Sequence, residues 1–347
     1  MTTNNAEPTI PTIPGELGDV WEDTVIIAFR DLQWRRWFDD IGKATPEVAK
    51  AMRVLGPDAC HKLDGNAESL FGDILTNYEG RHFVLEFKSA RSEHMAERGK
   101  KMFEAVSYYL ITANNTTDRA LRDRFMVLST SCHFGAFGTR ILKGEAQRET
   151  LQQIVGGSAA PSIPNEPTMA KLTIEAHTYL DWIHVANRKW LNTTASERKK
   201  LPKLRRDYVN ILTNAVTAEP SLRNAMKDIT DRIESPTRRS LAALVWGEEK
   251  ERAGANSKDY IEYLTMLTTV VGGNPATPIT LLAVVDQKIF YWTTSVAHLK
   301  HSLAYWAALK QQAVAKTAAD QAAQQGGTAP ATGQTKGADT GTLKSSR

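Results

Sequence analysis

FGDILTNYEGRHFVLEFK, residues 71–88, is the stretch on which the reading of this 347-residue chain turns. Two strand-like runs, 71–78 and 81–88, flank Glu79-Gly80, a hairpin turn because Gly tolerates positive φ. Side chains alternate between faces along a strand, so His82, Val84, Glu86 and Lys88 point one way and Phe83, Leu85 and Phe87 the other. In the first run Phe71, Asp73 and Leu75 share a face. If Tyr78 faces Arg81, counting back along both strands sets Asp73 directly opposite Glu86. A longer loop with Asn77 opposite His82 leaves that register unchanged.

Directly opposed side chains have Cβ atoms about 4.5–5.5 Å apart, and two carboxylates that close repel unless a proton or a cation sits between them. Hard oxygen ligands at this spacing suit Mg²⁺ or Mn²⁺, which needs only one or two carboxylates and takes water and substrate phosphate for the rest. Lys88, on the same face, places an ammonium beside the bound water or the scissile phosphate. A metal that acidifies water and a cation that offsets developing negative charge are the requirements of phosphodiester hydrolysis. The competing reading is a solvated hairpin decorated with charges.

Working outward, residues 1–16 carry Pro8, Pro11 and Pro14 among Thr and Asn and read as a flexible lead. From Val20 to Phe38 the positions Trp21, Val25, Ala28 and Leu32 form a helical stripe, widened by Ile26 and Phe29. A second helix is expected over Pro46–Leu55, with Thr45 as N-cap and Gly56 as its stop. After the hairpin, a helix is expected from Ser92 to Leu110 and a buried strand over Phe125–Ser129. GGSAAPSIPNEP, residues 156–167, is the best boundary in the chain. Beyond it the sequence reads as helical, with one face from Leu172 through Ala176, Tyr179, Ile183 and Ala186 to Trp190, and a long helix from Ile279 to about Lys310. The expected layout is therefore an α/β domain over 17–155, a linker at 156–168, an all-helical domain over 169–313 and a disordered tail from 314 to 347.

Asp73, a hairpin-length gap and then Glu86-Phe87-Lys88 resemble the signature of the PD-(D/E)xK nuclease superfamily, and the order of elements is similar to its restriction-endonuclease-like αβββαβ core. The resemblance covers residues 17 to about 130. It implies that Asp73, Glu86 and the Phe87 carbonyl hold the metal and that Lys88 is the catalytic lysine. Gly18, Trp21, Glu22 and Val25 resemble the setting in which that family adds an acid from its first helix, which makes Glu22 a further candidate ligand. Glu22 also borders the apolar stripe, with Ile26 and Phe29 one and two turns on. One departure is plain: Gly72 stands where the family has Pro. The implied activity is a metal-dependent DNA endonuclease in a bacterial or phage restriction or antiviral-defence setting. The alternative is a non-catalytic nucleic-acid or partner-binding protein that retains the fold.

Composition permits this. With 41% hydrophobic and 24% charged residues, 22 Gly and 14 Pro, collagen-like and wholly disordered readings fail. Lys and Arg number 43 against 39 Asp and Glu, so any basic argument must be local. The densest run, Arg198 to Arg206, offers Lys199, Lys200, Lys203, Arg205 and Arg206 to a phosphate backbone, and Arg91, Arg98, Lys100 and Lys101 lie near the hairpin in sequence. A solvated helix face is the other reading of these charges. The helical half is expected to bind nucleic acid, a partner protein or a second copy of the chain. Cys60 and Cys132 cannot form a disulfide framework and no apolar leader precedes the first helix, so a reducing, cytoplasmic setting is expected. No apolar run reaches the roughly 18–20 residues a membrane span needs. His177, Asp181 and His184 recur at a spacing that could ligate zinc but read as an ordinary wet helix face opposite the apolar stripe, Cys60-His61 with Cys132-His133 lack a zinc-site spacing and facing, and no phosphate-binding P-loop is present.

Overall fold

The structure, a computed structural model, describes residues 21–57, 60–63, 66–89, 97, 100–112, 116–140, 149–150, 168–169, 172–200, 203–218, 220, 239–247, 252–276, 278–285, 288–299, 301–302, 304–305, 308, 312, 315 and 319. The lead 1–16 and the boundary 156–167 lie outside these residues, as do Arg91 and Arg98.

Helix α1 runs Glu22–Lys43 and buries Val25, Phe29, Gln33 and Ile41. The buried stripe is thus rotated from the expected one: Trp21 is the N-cap and 77% exposed, and Leu32 also faces outward. Phe29 sets the rotation, because its ring packs between Phe87 on the sheet and Trp246, each at a centroid distance of 5.6 Å. Helix α2 spans Pro46–Leu55 between Thr45 and Gly56, where φ is +69°. There the local signals sufficed, since Pro suits the first helical position and Gly the left-handed exit.

Strand β1 (Cys60–Lys62) and helix α3 (Asn66–Phe71) precede the hairpin of β2 (Ile74–Tyr78) and β3 (Arg81–Lys88). Phe71 closes a helix rather than opening a strand, and Gly72, at φ +107°, makes the change of direction. The turn has positive φ at both Glu79 and Gly80, the twist that matches a two-residue hairpin. Helices α4 (Lys101–Thr112) and α5 (Thr116–Cys132) carry the chain back to strand β4 (His133–Arg140). Phe125–Ser129 is therefore helical, not a strand. Phe125, Leu128 and Cys132 recur at helical spacing and are all buried.

A two-residue pair, β5 (Glu149–Thr150) with β6 (Thr168–Met169), precedes strand β7 (Leu172–Thr178) and helix α6 (Tyr179–Leu191). Thr178 ends the strand and caps the helix, accepting from the Asp181 N–H at 3.2 Å. The stretch from Leu172 is thus strand before it is helix. Next come α7 (Ala195–Lys200), α8 (Lys203–Ala218), α9 (Leu241–Trp246), α10 (Ser257–Val270) and the hairpin of β8 (Pro278–Val285) with β9 (Lys288–Ser295). The long helix expected from Ile279 is this antiparallel hairpin, with helix resuming at residue 296. Residues 315 and 319, inside the expected disordered tail, are helical. An all-helical domain over 169–313 does not describe a segment that holds β7, β8 and β9.

The main sheet is mixed and five-stranded, in the order β1-β2-β3-β4-β7. Strands β1, β2 and β3 form an antiparallel meander, β4 runs parallel to β3, and β7 returns antiparallel on β4. Helices α1 and α9 cover one face, over Phe83, Leu85 and Phe87. Helices α4, α5, α6, α8 and α10 cover the other, over Leu75, Val84 and Phe137. This three-layer α/β arrangement removes both faces of β3 from water, which explains why all but one of its residues are buried. Among the described residues no helix is long and apolar enough to cross a membrane.

Candidate functional site

The hairpin register is the one the sequence implies. Ile74 faces Leu85 and Tyr78 faces Arg81, and Asp73, one residue before β2, donates its N–H to the Leu85 carbonyl at 3.0 Å. Asp73 Oδ2 accepts the Phe87 N–H at 2.6 Å, so the carboxylate takes the ladder position a backbone carbonyl would fill. Asp73 and Glu86 are both completely buried.

Lys88 Nζ lies at the centre of the acids. It donates to Glu86 Oε1 at 2.8 Å, to Glu22 Oε2 at 3.1 Å and to the Phe87 carbonyl, and stands 3.1 Å from Glu97 Oε1. Lys100 Nζ also contacts Glu86 Oε1 and lies 3.2 Å from Glu97 Oε1. Tyr179 donates its hydroxyl to Glu97 Oε2 at 3.2 Å, anchoring that acid from α6. Five elements or their flanks thus converge: α1 through Glu22, the start of β2 through Asp73, the end of β3 through Glu86 and Lys88, the approach to α4 through Glu97 and Lys100, and α6 through Tyr179.

The cluster is unbalanced. Asp73 Oδ1 and Glu86 Oε2 are buried with no hydrogen-bond partner, and Glu97 Oε1 is near two ammoniums but aligned with neither. Burial, and then the neighbouring Glu86, push the Asp73 carboxyl up to about 7. Glu97 is raised to about 7 for the same two reasons. Burial also opposes ionisation of Glu86, but the Lys88 and Lys100 ammoniums outweigh it and hold that carboxyl below its ordinary range. For Lys88 the burial penalty is outweighed by Glu86 and Glu97, so it stays charged.

Behind the acids, His133 begins β4 with its ring flat against Tyr179, centroids 4.2 Å apart. Its Nδ1 is 2.6 Å from the Tyr263 hydroxyl, its Nε2 has no partner, and burial pushes its pKa down to about 3, so the ring is neutral. Gly135, paired with Glu86 across β3 and β4, admits the Trp182 indole where any Cβ would overlap it.

Asp73, Glu86, Lys88 and Glu22 were all singled out from sequence, and here they meet. Glu97 was not, and Lys100 only as one of several nearby cations. Gly72 sits at φ +107°, a conformation closed to Pro, whose φ is fixed near −65°. In the basic run Lys199, Lys200 and Lys203 are exposed on α7 and at the start of α8, Arg206 is half-buried, and the Arg205 side chain lies outside the described residues. Thr194 and Glu197 start α7 with reciprocal hydrogen bonds, Glu197 Oε2 accepting from the Thr194 N–H and Thr194 Oγ1 from the Glu197 N–H. Lys101 is exposed.

Among the described residues no three His, Cys, Asp or Glu side chains form a ready chelating group, and lysines stand among the acids. The donor set still fits Mg²⁺ or Mn²⁺, which takes one or two carboxylates, and two unsatisfied, buried carboxylate oxygens are what such an ion would use. Comparison of the chain with protein-family models, curated protein sequences and solved structures finds no match.

Proposed function

We propose that this protein is a Mg²⁺- or Mn²⁺-dependent nuclease of the PD-(D/E)xK type, with DNA as its polymer. The observation that carries the proposal is the meeting of Asp73 and Glu86, each with a buried, unpartnered oxygen, beside the Lys88 ammonium. The chain order supports the finer fold reading as well: a first helix, a three-strand meander, helices and then a strand parallel to the third match the αβββαβ core.

Asp73, Glu86 and the Phe87 carbonyl would hold the ion, with Glu22 at the outer edge. When bound, the ion supplies an acidified water and a Lewis acid for the phosphate. The chain's own residues do the rest. Phe87 N–H fixes the Asp73 carboxylate in one orientation, and Lys88 offsets charge that develops on the phosphate oxygens. The three-layer packing keeps bulk water from the inner side of the acids. The exposed lysines of α7 and α8 offer phosphate-backbone contacts.

The test is plasmid cleavage with Mg²⁺, with and without EDTA, by the wild type, Glu86→Ala and Lys88→Ala. Loss of cleavage in both variants and with EDTA supports the proposal; equal nicking by all three proteins rejects it. One observation favours a second reading, a non-catalytic binding protein on the same fold: both lysines already neutralise Glu86. A thermal-shift titration separates the two, since a competent centre gains stability as metal rises and a scaffold held by its lysines gains none.

A further inference from the structure

We propose that Lys100 is a resident ammonium that occupies the Glu86 carboxylate until a divalent cation arrives, and then turns to a non-bridging oxygen of the substrate phosphate. The inference rests on the metal reading above and assigns a role to a residue that reading leaves idle.

Three observations converge on it. Positive charge is crowded onto one oxygen and absent from two others: Glu86 Oε1 meets both Lys88 and Lys100, while Glu86 Oε2 and Asp73 Oδ1 are buried without a partner. A divalent ion held by the two carboxylates would take up the oxygens that the ammoniums leave unpaired. The two lysines also differ in freedom to leave. The Lys88 side chain is 6% exposed and held by Glu22, Glu86 and the Phe87 carbonyl, whereas that of Lys100 is 30% exposed and reaches only Glu86 and Glu97 among the described acids.

The third observation is where Lys100 sits. Its carbonyl accepts the Glu104 N–H at 3.1 Å, which makes Lys100 the N-cap of α4, and its own N–H donates to the Glu97 carbonyl at 2.8 Å. A cation at a helix N-terminus opposes the helix dipole, so Glu86 and Glu97 are what hold this ammonium in place. Once a divalent ion takes Glu86, that hold is reduced to Glu97. An ammonium beside a helix N-terminus is then a site for an anion, and the anion nuclease chemistry brings is a phosphodiester.

The experiment is calorimetric titration of the full chain with Mg²⁺ and Mn²⁺, comparing wild type with Lys100→Met, Lys100→Gln and Lys100→Arg. Removing the competing charge is expected to tighten metal binding about tenfold in the Met and Gln variants, which is about 1.4 kcal/mol, and to leave the Arg variant within about twofold. In Ca²⁺, the same neutral variants are expected to bind duplex DNA several-fold more weakly, with a salt slope lower by about one. Wild-type metal binding that the neutral variants do not improve overturns the competition and leaves the metal centre standing. Improved metal binding with unchanged DNA affinity overturns the phosphate contact. If no form of the protein binds metal, the centre itself is rejected and this inference with it.

Discussion

The Phe87 N–H donates to Asp73 Oδ2 across 2.6 Å, where the β2 ladder has already ended. The carboxylate therefore does a backbone's work with one oxygen and leaves the other, Oδ1, buried and unsatisfied. Fold and chemistry meet in this one side chain, and substitutions can separate them.

Asp73→Asn keeps an oxygen for the Phe87 N–H and removes the buried charge. Burial and Glu86 raise this carboxyl to about 7 from an ordinary value near 4, so at pH 8 its ionisation costs the folded protein stability. The Asn variant is expected to be more stable than the wild type by about 1–3 kcal/mol in EDTA at pH 8, and to lose the stabilisation by Mg²⁺. Asp73→Ala, which strands the Phe87 N–H, is expected to be less stable than the wild type. Thermal unfolding with and without metal reads all three.

The pH dependence follows from the same groups. Asp73 and Glu97 have raised pKa values, so between about pH 4 and 7 each keeps a proton that the unfolded chain has lost; this outweighs the single proton that His133, lowered to about 3, lacks in the folded chain below about pH 6.5, and stability falls as pH rises. Glu86 acts in the opposite sense at the acid end: its carboxyl is depressed, so its contribution is present above about pH 4 and is lost as pH falls through the folded value. Lys88 and Lys100 are raised, and their contribution is lost only above about pH 10. Urea midpoints measured in EDTA are expected to decline from pH 5 to pH 8, and Glu97→Gln is expected to flatten that decline. A midpoint that climbs across this interval would contradict the burial of these acids.

The hairpin and the Asp73–Glu86 register were legible because a two-residue turn fixes which positions face each other, and α2 because Thr45, Pro46 and Gly56 mark its ends. Phe125–Ser129 was misread because a five-residue apolar run has no period of its own. Only with Cys132 does the helical spacing emerge. The β8–β9 hairpin was missed for the opposite reason: Asp286-Gln287 between the strands has no Gly or Asn to signal a turn, and apolar residues at 279, 281 and 282 fit a helix as readily as a strand. Glu97 and Lys100 were not assignable. Residues on one hairpin can be counted against each other, but an acid on the approach to α4 reaches Lys88 only through tertiary packing.

Gly135→Ala tests whether α6 holds the back of the site. Gly135 is the partner of Glu86 across the sheet, and a methyl there overlaps the Trp182 indole, which is itself buried. The indole must shift, and α6 with it, carrying Tyr179 away from Glu97. Loss of about 1–3 kcal/mol is expected from chemical denaturation. Restoring room with Trp182→Leu in the Gly135→Ala background is expected to recover part of that loss, a coupling that two independent defects would not show.

Glu22 separates a ligand from a charge at a helix edge. Its side chain is 39% exposed and its Oε2 stands 3.1 Å from Lys88 Nζ, so as an ion pair it is worth little to the fold. Glu22→Gln is therefore expected to shift the unfolding midpoint by less than about 0.5 kcal/mol. Metal affinity is the sensitive readout. If Glu22 closes the outer side of the centre, the Gln variant is expected to bind Mn²⁺ several-fold more weakly in calorimetry and to need correspondingly more Mg²⁺ for cleavage. Unchanged affinity assigns Glu22 to orienting Lys88 alone, in which case the defect is expected in cleavage rate at saturating metal rather than in the metal requirement.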